Sequence, residues 1–170
     1  NVTGWANASL RFFRCDACPS DVYQTLPNKT FNLFLENHAD CDTVIKMDED
    51  GMFCLNHMKL TQDMAYSYAG KMSYSRVSMT HSAKRLTLTR RRKAHARFER
   101  GELPNVLFAA GASYMIGTRL IEQIVARPFH EYEDTGFEDI NTGLFVSNLN
   151  RVRYIHLQGS DRGCPATDTF

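Results

Sequence analysis

Residues 29–38 place Phe31, Leu33, Phe34 and Leu35 on a broad apolar surface, and the spacing predicts a helix. At 43–46 the pattern changes to a short β-branched run, which reads as a buried strand ending abruptly in Asp48, Glu49 and Asp50. A short strand at 10–13, a helix over 55–66 carrying Leu55, Met58 and Leu60, and a strand over 68–74 are also expected. Residues 107–110 and 114–116 read as two extended pieces around the joint Gly111-Ala112-Ser113, where small residues let backbone or ligand approach closely. Thr118 is placed to cap a helix carrying Leu120, Ile121, Ile124 and Val125 that stops before Pro128. An acidic loop at 131–138 then feeds a helix from about 139, with Ile140 and Leu144 on one face and Asp139 at its start. Residues 151–157 alternate as a strand, with Val152, Tyr154 and His156 on one side. Interleaved strands and helices favour an α/β sheet protein over a sandwich or a bundle.

One stretch shows no sustained period. Residues 75–101 are polar and basic, with Lys84, Arg85 and the run Arg90-Arg91-Arg92-Lys93, and read as a long loop or flap. A solvated surface, a basic face for phosphate or an acidic glycan, and a nucleic-acid contact all fit that composition.

Composition narrows the class. A chain of 170 residues, 43% hydrophobic and 23% charged, is expected to form a single domain or a large part of one. A net charge of +1 argues against a dedicated nucleic-acid binder. No run is long enough for a membrane-spanning helix, so membrane attachment is expected only through a segment absent from this chain. The sequons at Asn1, Asn7 and Asn28 point to a secretory route, although such triplets also occur by chance. Cys15, Cys18, Cys41, Cys54 and Cys164 allow up to two disulfides with one thiol over. Cys15-x-x-Cys18 followed by His38-x-x-Cys41 equally makes a four-ligand zinc set, and both readings stay open.

The acids after the 43–46 strand carry the first chemical signal. Asp48 and Asp50, two apart, point the same way on a strand and suit Mg²⁺ or Mn²⁺ shared with substrate phosphates. A solvated turn is the plain alternative. An EF-hand is excluded: with Asp50 and Gly51 at its fifth and sixth positions, Lys46 and His57 would occupy the first and twelfth, and neither is a carboxylate.

Five segments in order resemble family 31 β1,3-glycosyltransferases, the galactosyltransferase and Fringe-like enzymes. Residues 21–30 resemble the family's "D-x-Y-x-N-L-T-x-K-T", and Lys46-Met47-Asp48-Glu49-Asp50 its "K-T-D-D-D". Tyr68-Ala69-Gly70 resembles the strand opening after it, Ala109-Ala110-Gly111-Ala112-Ser113-Tyr114 the "C-S-G-x-G-Y", and residues 138–143 the "E-D-V-x-x-G". The departures are Glu49 for the middle acid, Gly51 after the motif, and Ala109 and Ser113 for a Cys and a Gly. Only 47 residues precede Asp48, where the family has a longer nucleotide-binding portion, so a fragment or a shortened member is expected.

The resemblance implies a GT-A-like, Rossmann-like mixed sheet flanked by helices, and inverting transfer of galactose or an N-acetylhexosamine from a UDP-sugar to a glycan or glycoprotein hydroxyl. With the sequons, it makes the Golgi lumen or secretion the expected location. It implies Asp50 and Asp48 as ligands of Mn²⁺, with Mg²⁺ the alternative, and His156 as a third ligand. Asp48 and Glu49 would also contact the donor, and Gly111, Ala112 and Ser113 would wall the donor sugar. Asp139 would be the general base, although an acid at a helix start is ordinarily a cap. Glu138 would orient acceptor hydroxyls. A catalytically inactive relative with a binding or chaperone-like role is the alternative, as is a zinc- or disulfide-stapled binding module using the basic segment.

Overall fold

A computed structural model describes residues 26–37, 39, 41–47, 64–76, 89–128 and 135–157. The expected strand at 10–13, the acidic triplet at 48–50, most of the 55–66 helix and four of the five cysteines lie outside the described residues. Cys41, the fifth, is exposed.

Helix α1 spans Leu26–Asn37. It starts ahead of the expected boundary because Pro27 is tolerated in a first turn, where its missing N–H has no intrahelical partner to lose. Strand β1 (Thr43–Met47) buries Val44 and Lys46. Strand β2 (Ser67–Tyr74) follows a turn at 65–66, so the expected helix does not extend to its end at 66.

Helix α2 (Thr89–Glu99) occupies the last part of the stretch expected to be a loop. Five basic residues on so short an element leave Ala94 and Phe98, four apart, as its buried anchors, too little for a visible apolar period. Arg91 adds a third anchor. Its Nε donates to the Gly136 carbonyl at 3.0 Å and its guanidinium lies 4.2 Å from the centre of the Phe137 ring.

Strand β3 (Leu107–Gly117) runs through the joint as one element, and the joint survives as a slip in register. Gly70 pairs with Tyr114, but the next residue, Lys71, pairs with Ala110, so 111–113 stand out of the β2 ladder. Helix α3 (Thr118–Val125) begins at Thr118 with Gly117 in the capping position. The Thr118 hydroxyl donates to the Asp42 carbonyl instead of capping. Gly117 fits there because a β-carbon would sit 2.1 Å from the Met64 carbonyl oxygen. Helix α4 (Glu138–Val146) and strand β4 (Arg153–His156) complete the described chain.

The strands form one mixed sheet in the order β1-β3-β2-β4, with β3 antiparallel to both neighbours and β4 parallel to β2. Val44, Tyr68 and Ile116 share one face and join Phe31 and Phe34 of α1, Leu120, Ile121 and Ile124 of α3, and Phe145 and Val146 of α4 in one core. Ala69 and Met115, on the other face, pack with Met64, Ile45 and Ile155. A further cluster ties α2 to β3 and α4 through Phe98, Phe108, Ile140 and Leu144. This is the α/β sheet flanked by helices that the pattern of elements implied.

Candidate active site

The strand pairings align Lys46, Tyr114, Gly70 and His156 in one row across the sheet. Strands β1, β2 and β4 run the same way, so the row lies near the carboxyl ends of β1 and β4, where open α/β sheets commonly bind ligands. One residue beyond Lys46, Met47 pairs with Ser113, and the register slip of β3 stands opposite the end of β1. Asp48, Glu49 and Asp50 follow directly in sequence and are outside the described residues.

Lys46 points to the helix-covered face because it shares the period-two position of Val44. There its ammonium lies 3.4 Å from Oε2 of Glu138, with the two side chains 8% and 3% exposed. The other carboxylate oxygen of Glu138 accepts from the Tyr114 hydroxyl at 2.5 Å and from Thr142 Oγ1 at 3.3 Å. Thr142 Oγ1 also lies 3.1 Å from the Glu138 carbonyl, one helical turn back. Hydroxyl donors to a charged oxygen make the shorter and stronger kind of hydrogen bond. Tyr114 is held in turn by the edge of the Tyr68 ring, 5.6 Å between centres.

Helix α4 is seated closely. A β-carbon on Gly143 would come within 2.3 Å of the Phe108 β-carbon, so only glycine allows this approach of helix to strand. Ahead of the helix, Gly136 adopts a left-handed φ of 76°. Thr135, fully buried, donates through its N–H and its hydroxyl to Asn141 Oδ1 at 2.9 and 2.6 Å. These contacts fix how the chain enters α4, with Phe137 as the positional cap and no side chain capping it.

Asp139 is half-buried in the first turn of α4, and its Oδ1 accepts from the Ile140 N–H at 2.9 Å. Burial pushes its carboxyl up from 3.8 to about 7, and the neighbouring charge of Glu138 adds to the rise. The Ile140 N–H and the Lys46 ammonium pull the other way and are outweighed. An acid poised near neutrality is matched to taking and giving protons.

His156 ends β4 and is exposed. Its Nδ1 accepts from the Met72 N–H at 3.1 Å, which places the neutral ring's proton on Nε2. Among the described residues no group of three or more His, Cys, Asp or Glu side chains could hold a metal ion. Of the residues read as donor- or acceptor-binding, Ser113 is buried beside the end of β1, and Glu138 is enclosed with both oxygens engaged. Lys46, Tyr114 and Thr142 were not among the candidate residues. The sequence carries a signal for Lys46: a lysine at the inward position of a half-buried strand needs an acid to receive it.

The family described as Galactosyltransferase has a model that matches residues 17–158, most of the chain. No curated protein matches it.

Proposed function

The chain belongs to the galactosyltransferase family, and from that premise we propose a metal-dependent, inverting transfer of a hexose from a UDP-sugar to a glycan hydroxyl. Membership makes the chain a glycosyltransferase of the hexosyl-transferring kind, with a sugar donor and a glycan acceptor, on the GT-A-like α/β arrangement of its sheet and helices. UDP as the carrier, galactose or an N-acetylhexosamine as the sugar, the β1,3 linkage and the Golgi lumen as the place of work are the finer parts of the proposal.

The observation that carries the reading is the buried contact between Lys46, two residues ahead of Asp48, and Glu138, the residue before Asp139. It joins the strand that leads to the acidic motif with the helix whose first turn holds the candidate base. In the proposed reaction Asp139, as a carboxylate, takes the proton of the acceptor hydroxyl. The acceptor oxygen bonds to the anomeric carbon from the side opposite the phosphate, and UDP departs with the electron pair of the broken bond. Attack opposite the leaving group inverts the anomeric centre. Ser113, with Gly111 and Ala112 at the register slip, would wall the donor sugar, and Asp48 and Glu49 would contact the donor.

Two hard carboxylates suit Mn²⁺ or Mg²⁺, so Asp50 and Asp48 would hold the ion, which when bound supplies a Lewis acid for the charge on departing UDP. His156 fits as a third ligand through Nε2 only after its proton moves to Nδ1 and the hydrogen bond from Met72 is given up.

Calorimetric titration of UDP with and without Mn²⁺, repeated on Asp50→Ala, tests the donor site. Manganese-dependent binding that the substitution abolishes is the expected result. A folded wild-type chain that binds no UDP under either condition would overturn the reading and leave a non-catalytic relative. Where binding holds, transfer by the wild type should fall off below about pH 7 as Asp139 is protonated. A profile flat from pH 5 to 8 would remove Asp139 from the role of base.

A further inference from the structure

We infer that Lys46, Glu138 and Tyr114 are positioning residues, whose buried contact fastens the first turn of α4 to the strand row at the end of β1 and so sets where Asp139 meets an acceptor. The inference deepens the transferase reading and rests on it for the part played by Asp139.

Three observations carry it. First, Glu138 is enclosed: its side chain is 3% exposed, with Lys46 on one oxygen and Tyr114 and Thr142 on the other. A hydroxyl of a bound glycan could reach it only by displacing those partners. Second, Lys46 is 8% exposed with its ammonium on Glu138, so a phosphate that drew it away would leave the Glu138 charge buried without that cation. Third, the helix has two anchors. Gly143 is seated against Phe108 toward its far end, and Glu138 is held at its start. Successive residues stand about 100° apart around a helix, so fixing the direction of Glu138 fixes that of Asp139.

The same contact acts on Asp139 through charge. Glu138 on its own helix raises its proton affinity, and Lys46 on β1 lowers it. Tyr114 on β3 donates to Glu138, and from α2 Arg91 holds the Gly136 carbonyl ahead of the helix. Removing the Glu138 charge while keeping its shape therefore moves Asp139 toward a lower midpoint.

The test compares Tyr114→Phe and Glu138→Gln with wild type in the full chain. One readout is transfer from UDP-galactose with Mn²⁺ to a panel of galactoside and N-acetylglucosaminide acceptors, giving kcat and both KM values. The other is carbon-detected NMR titration of the Asp139 carboxyl, assigned by its loss in Asp139→Asn and needing no substrate. Positioning predicts that kcat falls about 10- to 100-fold in both variants with KM values little changed. It also predicts that the Asp139 midpoint drops in Glu138→Gln, and that Lys46→Arg retains more activity than Lys46→Met.

A rise in acceptor KM at constant kcat would make Glu138 a substrate contact and overturn the inference, as would wild-type kcat in both variants. If Glu138→Gln fails to fold, Tyr114→Phe, which removes a single oxygen, decides by the same kinetic criterion. If wild type transfers nothing, the transferase reading fails by itself. The titration then tests the contact alone: a midpoint unmoved in Glu138→Gln overturns it, and a lowered one sustains the contact but not the part given to Asp139 in transfer.

Discussion

Asp139 carries a cost that its proposed work explains. An aspartate whose carboxyl is pushed from 3.8 to about 7 binds its proton more tightly in the folded chain than in the unfolded one. Between those two values the folded state holds more protons, so stability falls as pH rises through the window and levels off above about 7. Asp139→Asn removes the charge. It should raise stability at pH 8 by on the order of 2–4 kcal/mol, with the gain shrinking below pH 7 and gone below about pH 4. Transfer should drop by roughly 10²–10⁴ in the same variant. Chemical denaturation at pH 8 and pH 4 beside an activity assay checks both, and a variant less stable at pH 8 would mean that Asp139 serves as an ordinary first-turn acid. Sequence marked Asp139 through the resemblance of residues 138–143 to the family's acidic motif, since an acid at a helix start alone reads as a cap. It did not mark the pressure on that acid, because burial and the Glu138 charge are set by packing. Lys46 shows the same divide: its inward position follows from alternation with Val44, whereas its partner lies on another element, and no local pattern reveals which acid will meet it.

At the scale of elements, periodicity read well where apolar residues are dense. Strands β1 and β2 fall within a residue of their expected limits, and helix α4 starts within a residue of its expected start. It failed for α2, where Ala94 and Phe98 are two apolar anchors among basic residues whose long stems cover surface without registering as hydrophobic. That helix is open to a direct check. Phe98, 1% exposed against Phe108, Ile140 and Leu144, should cost about 3–5 kcal/mol on replacement by Ala. A solvated loop residue would cost under about 0.5 kcal/mol, and a value in that range would detach α2 from the core. Gly143 makes a second test of how α4 is seated. Gly143→Ala forces a β-carbon into Phe108 at a point neither backbone can easily yield, and should destabilise by about 1–3 kcal/mol or more. Helix propensity alone would favour the alanine by roughly 1 kcal/mol, so the sign of the measured change separates close packing from intrinsic preference.

Across the whole molecule, the order of the motifs was legible and their convergence was not. Nothing local states that β3 inserts between β1 and β2, yet this insertion brings Lys46, Tyr114 and the start of α4 together. Groups contributed by segments so distant in sequence meet only when the sheet is complete, so a ligand held there stabilises the folded chain as a unit. At a concentration about 100 times its dissociation constant, UDP with Mn²⁺ should add roughly 2.7 kcal/mol. In a chain of this size that is a rise in Tm of about 5–10 °C. The donor half and the base are separate in the proposed site, which predicts a clean division between two variants. Asp50→Ala should abolish the rise, because the carboxylate that would share the ion with the diphosphate is gone. Asp139→Asn should keep the full rise above its own higher baseline, because in the proposed site a base for the acceptor would make no contact with the nucleotide. Thermal unfolding of the three proteins with and without UDP and Mn²⁺ measures this directly. Loss of the rise in Asp139→Asn would place that carboxyl on the donor, and the separation of donor site from base would have to be abandoned.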